Sequence, residues 1–140
     1  MTQLELVDGV LRGEAFLASL KGARVVVLGL ARQTGAAARL LHGAGARVRV
    51  EPVFSDADLT GEDLIVVTAA AALQTPAVIQ ARGRGVPILG ELDLGWCATE
   101  AETLAIAGGA AAGPALRLAG AVLARQGRAI LTAGGEEPEL

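Results

Sequence analysis

Four consecutive apolar residues, Val25-Val26-Val27-Leu28, stand between Arg24 and Gly29. A strand covered on one face alternates apolar and polar residues, whereas an unbroken apolar run marks a strand covered on both. This segment therefore belongs inside a sheet with helices above and below it. Parallel neighbours need crossover connections, and the sequence supplies them. An Ala-rich helix is predicted over 35–44, ending in Gly43-Ala44-Gly45, and a second strand over 46–50. A polar link, a third strand over 64–67, a helix over 75–83 with Pro76 in its first turn, and a fourth strand over 86–89 follow. The alternation predicts an α/β fold: a Rossmann-like parallel sheet with right-handed crossovers and helices on both faces. Ahead of it, the capping-box form Thr2-Gln3-Leu4-Glu5 and the helical spacing of Leu4, Val7, Val10 and Leu11 predict a short amphipathic helix. Gly13 interrupts that helix, and a further turn or two is expected over 14–20. Beyond the sheet, residues 103–107, 113–126 and 128–132 read as strand, helix and strand.

With 140 residues, 52% of them hydrophobic and only 2% aromatic, the chain has the makings of a globular domain whose core is Ala, Val, Leu and Ile. Cys97 has no second cysteine to pair with, and no signal-peptide pattern opens the chain, so the expected compartment is the cytoplasm. The net charge of -3 and the pI near 5.1 exclude a phosphate-tracking surface, and with it nucleic acid as a partner. The apolar stretch over 103–124 is not read as a membrane span. It contains Pro114 and carries Arg117 near its middle, where a charge costs about 2.5–3.5 kcal/mol.

At the end of the first strand the chain reads Gly29-Leu30-Ala31-Arg32-Gln33-Thr34-Gly35 and then enters a helix. In a dinucleotide fingerprint such glycines allow a tight turn and let phosphate oxygens reach the N–H groups of the helix N-terminus. The context fits while the spacing does not: Ala31 replaces the second glycine and Gly35 falls one residue late. A ligand-binding turn and a purely structural one both satisfy this pattern. Glu51 ends the second strand where a carboxylate would meet ribose hydroxyls, or else stands as a solvated acid before Pro52.

Several segments together resemble the Mur ligase family, in particular its D-glutamate-adding branch. They are Lys21-Gly22-Ala23-Arg24 running into the first strand, Ala36-Ala37-Ala38-Arg39-Leu40-Leu41, Gly45-Ala46-Arg47-Val48, Leu64-Ile65-Val66-Val67, Pro76, and Gly85-Val86-Pro87-Ile88-Leu89-Gly90-Glu91-Leu92-Asp93-Leu94. The tail Gly134-Gly135-Glu136-Glu137-Pro138-Glu139-Leu140 resembles the family's Gly-Gly-Asn-x-Gly-x-Pro-x-Leu with one residue fewer. The resemblance covers residues 21–140 and stops where a full ligase would be about one-third complete. It implies a first domain that holds the UDP part of a UDP-N-acetylmuramoyl substrate, with Arg32 and Gln33 in the binding turn and Glu51, Pro52 and Val53 on the uracil side. Taken together with the glycine turn, it gives Gly29, Leu30, Arg32, Gln33, Thr34, Gly35, Glu51 and Thr68 as the expected nucleotide-binding positions. The family's Ser-Pro-Gly after the third strand is replaced here by Thr68-Ala69-Ala70.

The resemblance also implies a central ATP-binding loop, which departs most from the family. In place of Thr-Gly-Thr-Asn-Gly-Lys-Thr/Ser-Thr the chain reads Ala107-Gly108-Gly109-Ala110-Ala111-Ala112-Gly113-Pro114. Ala112 stands where a lysine would reach the β/γ-phosphates, and Gly113 where a hydroxyl would hold magnesium. Phosphoryl transfer is positioning and charge neutralisation, which Ala and Gly side chains cannot supply. His42 is the only histidine, and the pairs Asp56/Asp58, Glu62/Asp63 and Glu136/Glu137 fall in polar links or the tail, so no nucleophile meets a base. No catalytic residue, metal site or cofactor is expected.

The expected organisation is a helical extension over 1–22, a Rossmann-like domain over 23–98, and a truncated remnant of the family's central domain over 99–140. The expected function is a non-catalytic module that binds a UDP-sugar or other nucleotide, or acts as an interaction protein in peptidoglycan synthesis. A fragment or subunit of a complete ligase is the alternative, and an NAD-binding redox module is a third. A homodimer is expected, because two isolated C-terminal strands would leave edges uncovered.

Overall fold

The computed structural model describes residues 11–132, apart from the side chains of residues 31–33. The helix expected from Thr2 onward and the tail from Gly134 fall outside the described residues. Two compact units divide the chain between Ala101 and Glu102.

The first unit is built on β1 (Arg24–Leu28), β2 (Arg47–Glu51), β3 (Leu64–Val67) and β4 (Ile88–Gly90), all parallel, in the order β2-β1-β3-β4. The apolar run sits in the middle, as its composition requires. Alternate residues of β1 point to opposite faces. Val25 and Val27 pack with Phe16 of α1 (Gly13–Ser19), Ala37 and Leu41 of α2 (Ala31–Gly43), and Leu94 and Cys97 of α4 (Glu91–Cys97). Val26 and Leu28 pack with Val78 and Ala81 of α3 (Pro76–Gly83), with Ala72 of the 3-10 helix Ala70–Gln74, and with Val53 and Leu59 of the β2–β3 link. Two cores therefore sandwich one sheet, each fully buried Val, Leu or Ile contributing about 1.5–3 kcal/mol.

Three expectations shift within this unit. α2 begins at Ala31, not at residue 35, because Ala-Arg-Gln-Thr winds readily into a first turn and leaves Gly35 inside the helix. β4 runs over Ile88–Gly90 rather than 86–89: Pro87 has no N–H to pair, and its carbonyl instead accepts the Ile65 N–H at 3.0 Å. α4 was not anticipated. Its start is fixed by Asp93, whose Oδ2 accepts the Gly90 N–H at 2.9 Å, a reach-back from the third helical position that a short Gly-containing segment conceals.

The second unit contains α5 (Ala112–Arg125), closed by Gly127 at a φ of +76°. The expected strands over 103–107 and 128–132 are not formed among the described residues. A strand exists only through a ladder with a neighbour, and no strand ladder forms over either apolar segment among the described residues. Arg128 Nη1 meets Glu102 Oε2, just ahead of the first segment, at 3.2 Å. No described residue of α5 is buried, and Leu118 is 68% exposed.

Candidate functional site

The winding reverses between β1 and β3: the chain passes from β1 outward to β2, then returns to place β3 on the other side of β1. In open parallel sheets the crevice beyond the carboxyl ends of the strands at this reversal is where ligands bind. Register puts Leu28 opposite both Glu51 and Val67, so the next residues of the three strands lie side by side. Gly29 donates its N–H to the Glu51 carbonyl at 3.1 Å, and Thr68 donates its N–H to the Leu28 carbonyl at 2.9 Å. The Thr68 hydroxyl also reaches the Leu28 carbonyl at 3.4 Å.

This close approach accounts for Gly29. A Cβ there would overlap Thr68 Oγ1 and lie 3.0 Å from Thr34 Cγ2. Thr34, expected at the ligand, is 3% exposed and packs beneath the turn. The turn itself is only Gly29-Leu30, because α2 starts at Ala31; Arg32 and Gln33 lie in its first turn and Gly35 just beyond. The first N–H groups of any helix have no intrahelical partner, and Leu30, at the capping position, has no side-chain oxygen to offer them. A 13-residue helix thus aims its positive end at the switch point.

Glu51 is neither loose nor simply solvated. Its Oε1 accepts Arg49 Nη1 at 2.9 Å and its Oε2 accepts the Ser55 hydroxyl at 3.1 Å. Arg49 Nη2 meanwhile meets Glu62 Oε1 at 2.6 Å, and this pairing with Glu62 raises the Arg49 pKa, so the guanidinium stays charged. The network ties β2 to both ends of the following link. That link opens with a turn in which Ser55 N–H bonds the Pro52 carbonyl at 3.1 Å. Val53 points into the core at 6% exposure, while Phe54 stands out at 76%. Sequence reasoning gave Phe54 no role; it is an aromatic residue three positions after the acid that ends the second strand.

Other titratable groups are accounted for locally. The Thr60 hydroxyl and amide hold Asp58 below the ordinary carboxylate range, and the Arg24 N–H does the same for Asp63. Burial, with Asp93 nearby, pushes the Cys97 thiol up. His42 is exposed on α2. An open depression of about 250 Å³ is lined by Ser55, Asp56, Ala57, Asp58, Pro76, Ala77 and Gln80, sharing Ser55 with the Glu51 network. Among the described residues no group of three or more His, Cys, Asp and Glu is arranged to hold a metal ion, and no helix is long and apolar enough to cross a membrane.

The Ala- and Gly-rich stretch over 107–114 leads into α5. Ala112 is the first helical residue and its N–H bonds the Gly109 carbonyl at 2.9 Å; Gly113 and Pro114 follow in the first turn, and Gly108 lies in the preceding loop. Their side chains carry neither a cation nor a hydroxyl.

No family model matches the chain, and no solved structure does. Curated proteins do. The UDP-N-acetylmuramoylalanine–D-glutamate ligase of Acidobacterium capsulatum is 33% identical over 76% of this chain and 28% of its own length. That of Anaeromyxobacter dehalogenans is 38% identical over 54% of this chain and 21% of its own. That of Koribacter versatilis is 28% identical over 82% of this chain and 31% of its own. The chain spans less than a third of the length of these relatives.

Proposed function

We propose, from the premise that this chain carries a MurD-like region, that it is a non-catalytic module holding a UDP-sugar or other nucleotide at the carboxyl ends of β1, β2 and β3. The observation that carries the reading is the positive end of α2 at the switch point, flanked by Glu51 and Thr68. Phosphate oxygens would lie on the first N–H groups of α2 with Arg32 as the charged contact, and ribose hydroxyls would meet Glu51. The names of the relatives make a UDP-linked substrate the first compound to test. The reading includes a cytoplasmic location and a homodimer through α5, which exposes Leu118 and Val122. ATP-driven ligation is not part of it, since the side chains at Ala112 and Gly113 carry neither cation nor hydroxyl.

A thermal-shift series with UDP, UDP-N-acetylmuramoylalanine, ATP and NAD tests this. A ligand at 100 times its Kd adds about 2.7 kcal/mol of stability, and Arg32→Ala should abolish the gain for the UDP compounds. Absence of any shift with every nucleotide would end the nucleotide reading. A second reading, a piece of a complete ligase whose remaining parts lie elsewhere, is supported by the short span of the relatives that the chain matches. Magnesium-dependent ATP hydrolysis by the chain alone would count against both.

A further inference from the structure

We propose that Phe54 is a stacking platform for the base of the bound nucleotide, an inference that rests on the nucleotide reading above. In a Rossmann-like site the acid closing the second strand meets the ribose, so the base lies beyond that acid. Glu51 occupies that position here, and the three residues that follow it are the ones the base would meet. The turn sorts them sharply. Val53 is turned into the core, Ser55 is pinned by its hydroxyl to Glu51, and Phe54, between two anchored neighbours, is held out at 76% exposure. Its exposure is thus imposed by an ordered turn, and a rigid aromatic face already in place loses little freedom when a ligand stacks on it.

The surroundings favour a flat apolar ligand. Leu30 and Phe54, 62% and 76% exposed, follow the carboxyl ends of the adjacent strands β1 and β2. The Gly29 N–H to Glu51 carbonyl bond locks the two strand ends that carry them. Each Glu51 oxygen has accepted one hydrogen bond and retains a lone pair for a ribose hydroxyl. The proposed order along the ligand is phosphate on α2, ribose on Glu51 and base on Phe54. The ligand class is a nucleotide with an intact aromatic base.

The test is calorimetric titration of UDP into the full chain, Phe54→Ala and Phe54→Trp, with thermal melting to confirm that both variants fold. Stacking on an aromatic side chain is expected to make Phe54→Ala about 5- to 100-fold weaker for UDP, with Phe54→Trp restoring the affinity. Ribose 5-phosphate, which has no base, should bind the chain and Phe54→Ala alike. If UDP binds the chain and Phe54→Ala equally, or if Phe54→Trp is as weak as Phe54→Ala, the platform is wrong while the nucleotide site stands. If neither UDP, ADP nor NAD binds at all, both fall.

Discussion

A methyl group placed on Gly29 tests whether the carboxyl ends of β1 and β3 are as tightly joined as the geometry states. The new Cβ would overlap Thr68 Oγ1, and would stand 3.0 Å from Thr34 Cγ2 and 3.1 Å from Thr68 Cβ. Turning the Thr68 hydroxyl away breaks only its 3.4 Å bond to the Leu28 carbonyl, worth about 0.5 kcal/mol. Rotation does not relieve the other two contacts, and Thr34 is buried, so the strand ends must move apart at about 1–3 kcal/mol. Against this, Gly→Ala restricts the unfolded chain and recovers about 0.4–1 kcal/mol. Gly29→Ala should therefore be destabilising by about 1–2 kcal/mol in urea unfolding followed by circular dichroism. In a Thr68→Ala background, where the worst overlap is gone, the same change should cost about 1 kcal/mol less, the signature of direct coupling. Equal costs in the two backgrounds would refute the packing argument, as would a loss under about 0.5 kcal/mol in the native one.

Leu41→Ala, at a fully buried position on α2, should cost about 2–5 kcal/mol in the same assay, whereas Leu92→Ala, 62% exposed on α4, should stay within about 0.5 kcal/mol. Asp58 and Asp63 have folded pKa values below their unfolded ones, so the stability they supply is present above the unfolded value, about 3.9, and is lost as pH falls through the folded one. Acid unfolding of Asp63→Asn should accordingly show a weaker pH dependence below about pH 4 than the parent chain. Sedimentation at micromolar concentration should give a dimer that Leu118→Glu converts to a monomer; a monomeric parent chain would remove the case for assembly through α5.

The sheet was legible because β1 and β3 are apolar without interruption, and Pro76 and the paired glycines punctuate the crossovers. What sequence could not yield was side-chain direction beyond the strands. Thr34 and Val53 read as ligand positions, yet one packs under the turn and the other in the core. Phe54 passed unnoticed because a β-turn, and no periodicity, decides which way it points. Glu51 was placed correctly at its strand end, but its engagement by Arg49 and Ser55 depends on a link whose path no local pattern specifies. The C-terminal strands failed for the opposite reason: their composition suits a strand, and strand formation depends on a partner outside the segment.

The division of the sheet into two separately covered faces also sets the order in which a growing chain can be protected from itself. Once Glu51 has been made, Phe16, Ala37 and Leu41 can begin to cover the face that holds Val25 and Val27, which Leu94 and Cys97 of α4 complete later. The cover of Val26 and Leu28 by Val53, Leu59 and Ala72 is completed only when Val78 and Ala81 of α3 have been made, an interval of seconds at about 5–20 residues per second. During that window the nascent polypeptide presents a half-covered, open-edged ribbon, the form most prone to pairing with another copy. Release of the chain before Gly83 should consequently yield insoluble material, and the residues after β2 act as a built-in guard against aggregation during synthesis.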